Sequence, residues 1–260
     1  MVAEMTTVIE NMNIYYEIVG DGADILFLHG WGSSVDAFRR MIMPLKRDFR
    51  CIALDLPGFG KSDLPKEPLD LDDYCRIVKK FIDELGLCNP ILIGHSNGGR
   101  IALNMCAEHI VDPDKMILFG AAGIPPKKTF KQKARQRTFK IIKGALTLPI
   151  VKNYTESLLN DARAHFGSAD YNSAPPVMRQ TLVKLVNVDL TEKLHNITAQ
   201  TLLIWGENDT ATPLYTAKIM EREIKGSGLC VLNNCTHWCF IENPVQVDAI
   251  LQSFLKGGNQ

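Results

Sequence analysis

Short apolar runs alternate with helical patterns along most of the chain. Short apolar runs predict strands at residues 6–9, 14–19, 25–28, 51–55, 91–93, 116–119, 201–205 and 229–232. Apolar residues that recur at about every third or fourth position predict helices at residues 35–45, 72–85, 100–109, 214–224 and 244–255. The first two strands read as a hairpin. The alternation that follows predicts an α/β protein with a mostly parallel central sheet flanked by helices.

The alternation stops for one long segment. Residues 127–195 show helical patterns without a strand between them. An all-helical block inside an alternating pattern indicates an insertion. We therefore assign residues 1–124 and 199–260 to an α/β core and residues 125–198 to an inserted helical cap, which we expect to act as a lid.

Composition and net charge narrow the class of protein. The 260 residues are enough for one large domain with an inserted subdomain. Hydrophobic residues make up 46% and charged residues 22%, which is ordinary for a soluble protein. The formal net charge is zero, which argues against a dedicated nucleic-acid binder. We expect a small molecule as the partner.

Positive charge is concentrated at the start of the insert. Nine basic residues and no acidic residue fall between residues 127 and 152. A solvated charged face fits this segment, and so does a surface that attracts an anionic substrate or an acidic membrane. The solvated face is the favoured interpretation, so membrane contact by a basic lid is not expected.

The first residues and the cysteines bear on the cellular compartment. The chain starts with an early acid and no apolar core before a cleavage site, so we predict no secretory signal. The seven cysteines are odd in number, and several fall inside strand or helix patterns, which favours reduced thiols. We expect a cytoplasmic protein.

No metal or cofactor is expected. Cys235 and Cys239 bracket His237, but this spacing has no second ligand pair and matches no zinc pattern. The sequence also has no phosphate loop and no dinucleotide fingerprint.

One serine stands in an unusual local setting. Ser96 lies between an apolar run that predicts a strand and a pattern that predicts a helix, in the stretch GHSNGG. Small residues are favoured beside a serine in such a tight strand-to-helix turn, because larger side chains would collide with the backbone. The turn would hold the Ser96 hydroxyl out for attack on a substrate.

A serine nucleophile needs a base and a group that orients the base. Asp209 and His237 each follow a predicted strand, and the carboxyl ends of parallel strands meet at one edge of a sheet. The candidate acids are Asp209, Glu207 and Asp189. His95 adjoins the serine and fits a packing or hydrogen-bonding neighbour better than a base.

Four segments in order resemble the α/β-hydrolase superfamily over nearly the whole chain. They are His29-Gly30, Asp55-x-Pro57-Gly58-x-Gly60-x-Ser62, Gly94-x-Ser96-x-Gly98 and His237-x-x-x-x-Glu242-x-Pro244. The resemblance implies a triad of Ser96, His237 and Asp209. It also implies that the backbone N–H groups of Trp31 and Asn97 form an oxyanion hole. His29, Gly30, Gly94 and Gly98 would support these two loops.

The resemblance implies a hydrolase with a carboxylesterase-like triad. We expect it to cleave a small to medium carboxylic ester. If the ester is anionic, the basic residues of the insert would attract it. Two alternatives stay open. One is a carbon-carbon bond hydrolase of dienoic diketones, which the His237-Trp238 pair also resembles, although that subgroup usually has Asn where this chain has His95. The other is a ligand-binding receptor or homologue without turnover, since a fold does not fix a function.

Overall fold

The fold is taken from a computed structural model that describes residues 2–127, 137–138 and 169–257. One sheet of eight strands runs through it. The strands are β1 (Ala3–Ile9), β2 (Met12–Val19), β3 (Ala23–Leu28), β4 (Phe49–Leu54), β5 (Ile91–His95), β6 (Lys115–Phe119), β7 (Gln200–Gly206) and β8 (Gly228–Leu232).

The sheet has the order β1-β2-β4-β3-β5-β6-β7-β8. β1 and β2 form the predicted hairpin, and β2 pairs with β4 in the antiparallel sense. All the other pairs are parallel, so β5, β7 and β8 end at the same edge of the sheet. The hairpin turns at Glu10 and Asn11, which both have positive φ, as a tight two-residue turn requires.

Helices cover both faces of the sheet. They are α1 (Arg39–Leu45), α2 (Leu71–Glu84), α3 (Asn97–Ala107), α4 (Ala169–Ser173), α5 (Pro176–Val186), α6 (Leu214–Glu223), α7 (Cys239–Glu242) and α8 (Pro244–Lys256). Short 3₁₀ turns occupy Val35–Phe38 and Thr191–Asn196.

Alternating strand residues separate two cores. On β3, Leu26 and Leu28 pack in the core beneath α2, α3 and α6, whereas Ile25 and Phe27 pack in the core beneath α1 and α8. This period of two matches a strand that is buried on both faces. The α/β fold with a mostly parallel sheet flanked by helices is therefore confirmed.

Two helix boundaries differ from the prediction. The continuous helix predicted over residues 35–45 is divided into a 3₁₀ turn and α1, which contains Pro44. α3 begins at Asn97, three residues earlier than the predicted start. Gly98 and Gly99 have low helix propensity, so the sequence pattern did not include them, but close packing against Leu28 and Ala121 holds them in the helix.

The described residues of the predicted insert contact residues of the predicted core. Thr181 on α5 accepts a hydrogen bond from the Leu69 N–H (3.0 Å), and Met178 lies directly against Gly58. Leu190 donates its N–H to the Gly123 carbonyl (2.8 Å). Most of the basic segment of residues 127–152 lies outside the described residues. Among the helices that the structure describes, none combines the length and apolar character needed to cross a bilayer.

Candidate active site

Ser96 sits at a sharp turn between β5 and α3. Its backbone has φ 51° and ψ −110°, a region that L-residues rarely adopt. The turn is held from both sides, since the Ser96 N–H donates to the Phe119 carbonyl (3.0 Å) and the Ser96 carbonyl accepts from Ala122 (2.9 Å). The strained backbone therefore presents Ser96 at the carboxyl edge of the sheet.

Glycines make this turn sterically feasible. A Cβ atom on Gly94 would lie 2.7 Å from the Cα of Gly99, and a Cβ on Gly98 would overlap the carbonyl oxygen of Leu28. Real Cβ atoms do not approach backbone atoms that closely. Gly94, Gly98 and Gly99 therefore allow α3 to lie tightly against β3 and β5.

His237 and Asp209 lie in the loops after β8 and β7. The Nδ1 atom of His237 lies 2.8 Å from Oδ2 of Asp209, whose side chain is closed to solvent. A carboxylate accepts only, so Nδ1 carries the proton and Nε2 keeps a free lone pair. That tautomer can accept a proton from a nearby hydroxyl.

Asp209 is held by its own loop. Oδ1 accepts the N–H groups of Ala211 (2.9 Å) and Thr212 (2.8 Å), and Oδ2 lies 2.8 Å from the Thr212 hydroxyl. Burial raises the pKa of Asp209, but the hydrogen bonds and charge of His237 and the bonds from Thr212 outweigh it, so the pKa is lowered. Asp209 is thus an oriented carboxylate at neutral pH.

Sequence reasoning missed Thr212. Its hydroxyl also lies 3.0 Å from the Gly120 carbonyl and 3.3 Å from Nδ1 of His237. The sequence feature that could have indicated Thr212 is its position three residues after Asp209 in a loop that follows a strand. Side chains at this spacing often form hydrogen bonds with one another and with the backbone.

The rival acids lie in other roles. Glu207 accepts the Asn234 N–H (3.1 Å) in an exposed turn. Asp189 accepts the N–H and the hydroxyl of Thr191 (3.0 and 2.6 Å) at a 3₁₀ turn. The structure therefore brings Asp209, and neither rival, to His237.

His95 is fully buried behind the site. Its Nε2–H donates to the carbonyl of His237 (3.1 Å), and its ring centroid lies 4.7 Å from that of His237. Burial, together with the charge of His237, lowers the pKa of His95 to about 3. A Cβ on Gly30 would come within 2.8 Å of His95 Nδ1, so a side chain at position 30 would displace the ring. His95 is a neutral support of the His237 loop.

His29 and Asp55 fix the loop that carries Trp31. His29 donates from Nδ1 to the Gly30 carbonyl (2.7 Å) and accepts the Leu56 N–H at Nε2 (2.9 Å). Burial lowers the pKa of His29, so this tautomer stays neutral. Asp55 is buried and accepts the N–H groups of Val35 and Lys61 (2.8 and 2.7 Å). These side chains hold two loops in register beside Ser96.

A small cavity lies beside this loop. Its volume is about 170 Å³, and its lining includes Trp31 and Phe59 together with Asp170 of α4 and Met178 of α5. The Trp31 and Phe59 rings pack edge to face with centroids 4.9 Å apart. The lining is thus mainly apolar and aromatic, as is usual for a small-molecule site.

Comparisons with known proteins agree with this architecture. The sequence matches the α/β hydrolase fold family over residues 25–244. It is 31% identical over 257 residues to the AB hydrolase superfamily protein YisY of Bacillus subtilis (strain 168), covering 94% of this chain and 96% of that protein.

Two further relatives carry more specific names. The 2-hydroxy-6-oxo-6-phenylhexa-2,4-dienoate hydrolase of Burkholderia cepacia is 28% identical, with 96% of this chain and 93% of that protein covered. The solved structure of an esterase from Exiguobacterium antarcticum superposes with a TM-score of 0.74 at 26% identity, covering 96% of this chain and 98% of that one. Because the family match spans most of the sequence and agrees with the fold, the chain belongs to the α/β-hydrolase superfamily and is a hydrolase.

Proposed function

We propose that the protein is a serine hydrolase that cleaves a small to medium carboxylic ester through Ser96, His237 and Asp209. The observation that carries the proposal is the buried Asp209 carboxylate 2.8 Å from Nδ1 of His237. It fixes the imidazole in the tautomer that can take a proton at Nε2. The strained turn at Ser96 stands at the same sheet edge.

The reaction divides into two transfers of an acyl group. His237 takes the proton of the Ser96 hydroxyl as Oγ attacks the ester carbonyl, and then gives it to the leaving alcohol. Water enters next, His237 takes its proton as the oxygen attacks the acyl carbonyl, and His237 then gives that proton to Oγ of Ser96, which releases the carboxylic acid and restores the free enzyme. Asp209 holds the ring and stabilises the imidazolium in both transfers.

The oxyanion would be bound by backbone N–H groups. Asn97 is the first residue of α3, so its N–H has no partner within the helix. We assign the second donor to Trp31, whose loop is fixed by His29 and Asp55. One such donor contributes about 2.7 to 4 kcal/mol to the transition state.

The insert supplies the substrate pocket in this proposal. We propose that residues 125–198 act as the lid, and within them α4 and α5 contribute Asp170 and Met178 to the cavity beside Trp31. A cavity of about 170 Å³ suits a small acyl or alcohol group. The predicted cytoplasmic location stays a prediction.

A second activity is favoured by the comparisons. Several relatives at 27–28% identity carry names of dienoate hydrolases, including the one from Burkholderia cepacia. Trp238 follows His237 and packs against His95 with ring centroids 4.5 Å apart. The alternative activity is therefore hydrolysis of a carbon-carbon bond in a dienoic diketone.

Turnover separates these activities from a ligand-binding role. Hydrolysis of p-nitrophenyl esters of increasing acyl length is measured beside hydrolysis of a dienoic diketone, with Ser96→Ala as the control. Multiple turnovers of an ester that vanish in Ser96→Ala support the proposal. A strong preference for the diketone favours the alternative. A single turnover with either substrate would contradict both enzymatic activities and indicate a ligand-binding receptor.

A further inference from the structure

Two buried hydrogen-bond donors on α3 have no partner in the described part of the chain. Asn97 is 3% exposed and Arg100 is 8% exposed. Nη1 of Arg100 donates to Oδ1 of Asn97 (2.8 Å), which joins the two side chains. Nδ2 of Asn97 and Nε of Arg100 are left without an acceptor among the described residues.

The Arg100 guanidinium also lacks a counter-ion among the residues that the structure describes. Burial lowers its pKa to about 10, and no neighbouring carboxylate opposes that shift. Arg100 is nevertheless charged at neutral pH. An unpaired buried cation is rare, because desolvation is strongly unfavourable unless another group compensates the charge.

An acidic side chain of α2 does contact α3, but one turn further along the helix. Asn104, one turn further along α3, donates to the Asp72 carboxylate (3.3 Å) and to the Cys75 sulfur (3.4 Å). The carboxylate that α2 directs at α3 is therefore engaged by an amide. The Asn97 and Arg100 donors are left for a different acceptor.

These donors lie next to the proposed nucleophile. Asn97 directly follows Ser96, and the Arg100 N–H donates to the Ser96 carbonyl (3.0 Å). Both side chains stand within the first turn of α3. An acceptor for these donors would therefore lie close to the Ser96 turn.

We propose that Asn97 and Arg100 form a subsite for a carboxylate carried by the substrate. Nη1 of Arg100 is held by Asn97, and the edge formed by Nε and Nη2 carries two parallel N–H groups that match a carboxylate. The Asn97 amide adds a third donor. The preferred ester would thus be a half-ester of a dicarboxylic acid, or another ester with an anionic group. This inference rests on the proposed function and specifies its substrate class.

The test compares charged and neutral substrates of equal length. Mono-p-nitrophenyl esters of succinic, glutaric and adipic acid are compared with the matching amides, in which a carboxamide replaces the free carboxylate. At the best length we expect kcat/KM for the acid to exceed that for the amide by about tenfold or more, because hydrogen bonds to charged groups are strong. Arg100→Met should bring this ratio close to one.

Two other variants make the comparison specific. Arg100→Lys should keep part of the preference, because it retains the charge and loses the planar pair of donors. Arg222→Met, which changes an exposed arginine on α6, should leave the ratio at the wild-type value. A wild-type ratio near one, or an equal loss for both substrates in Arg100→Met, would overturn the proposal.

A binding measurement separates this proposal from the triad. Glutarate is titrated by calorimetry into Ser96→Ala, which cannot form an acyl-enzyme, and into the double variants Ser96→Ala/Arg100→Met and Ser96→Ala/Asn97→Ala. Binding that weakens by about tenfold in either folded double variant supports the subsite, even if no ester is turned over. An active wild-type enzyme together with no glutarate binding would contradict the subsite alone.

Discussion

Nδ1 of His237 lies 2.8 Å from Oδ2 of Asp209, and the side chain of Asp209 is closed to solvent. The pair joins loops that follow two adjacent strands, β7 and β8. A base oriented by a buried carboxylate at the carboxyl edge of a parallel sheet is suited to activating a hydroxyl nucleophile.

Asp209→Asn should abolish most of the activity while the protein stays folded. An amide can donate to Nδ1, which would move the imidazole proton to Nε2 and remove the base. By analogy with other triads we expect kcat to fall by about three to four orders of magnitude. Steady-state kinetics with the best ester measures the loss. A fall of less than about tenfold would mean that Asp209 does not orient His237.

Thr212→Val should weaken both stability and activity. The variant keeps the shape of the side chain but removes the hydroxyl that lies 2.8 Å from Asp209 Oδ2. We expect the free energy of unfolding to fall by about 1 to 3 kcal/mol, because the one hydroxyl hydrogen that the buried Gly120 carbonyl and Asp209 Oδ2 share is lost.

Thr210→Val is the matched control for this change. Thr210 is exposed in the same loop, so its substitution should alter the free energy of unfolding by at most about 0.5 kcal/mol. Urea titrations of both variants provide the comparison. Equal effects in the two variants would show that the Thr212 hydroxyl has no special role.

His95 should make the folded protein sensitive to acid. Its pKa in the folded state is about 3, below the ordinary value of 6.5, so the unfolded chain binds the proton first as pH falls. Stability is therefore lost as pH drops from 6.5 towards 3, by at most about 1.4 kcal/mol per pH unit for this group.

His95→Asn should remove this contribution. Urea titrations between about pH 7 and pH 5 should show a shallower loss of stability in His95→Asn than in the wild type. The exposed His195→Asn should follow the wild-type curve. Parallel curves for His95→Asn and the wild type would contradict a buried neutral His95.

Gly98→Ala should destabilise the nucleophile turn. The added methyl group would overlap the Leu28 carbonyl oxygen, which is backbone and cannot swing aside. We expect a loss of about 1 to 3 kcal/mol or more in the free energy of unfolding. Gly228→Ala is the control, because a Cβ at that position has no heavy atom within 4 Å. Similar losses in both variants would argue against close packing of α3 on β3.

The fold could be predicted because its central strands, such as β3, β5 and β6, are buried on both faces. Runs such as the one in β5 are apolar for that reason, and their alternation with helices gives the parallel sheet. The start of α3 could not be found in this way. Gly98 and Gly99 have low helix propensity, and the contacts with Leu28 and Ala121 that make them helical are distant in sequence.

The candidate site was predictable only in outline. Topology dictates that loops after β5, β7 and β8 meet at one edge, which places Ser96, Asp209 and His237 near each other. Thr212 and Arg100 were not foreseen as partners. Their roles depend on which groups remain without a hydrogen bond once the helices have packed, and a one-dimensional pattern does not contain that information.

The most direct test of the central claim is covalent labelling by a fluorophosphonate probe, followed by mass spectrometry of the intact protein and of its peptides. We predict one adduct per chain, located on Ser96, absent in Ser96→Ala and formed much more slowly in Asp209→Asn. A folded protein that gains no adduct, or gains it on another residue, would contradict the assignment of Ser96 as the nucleophile.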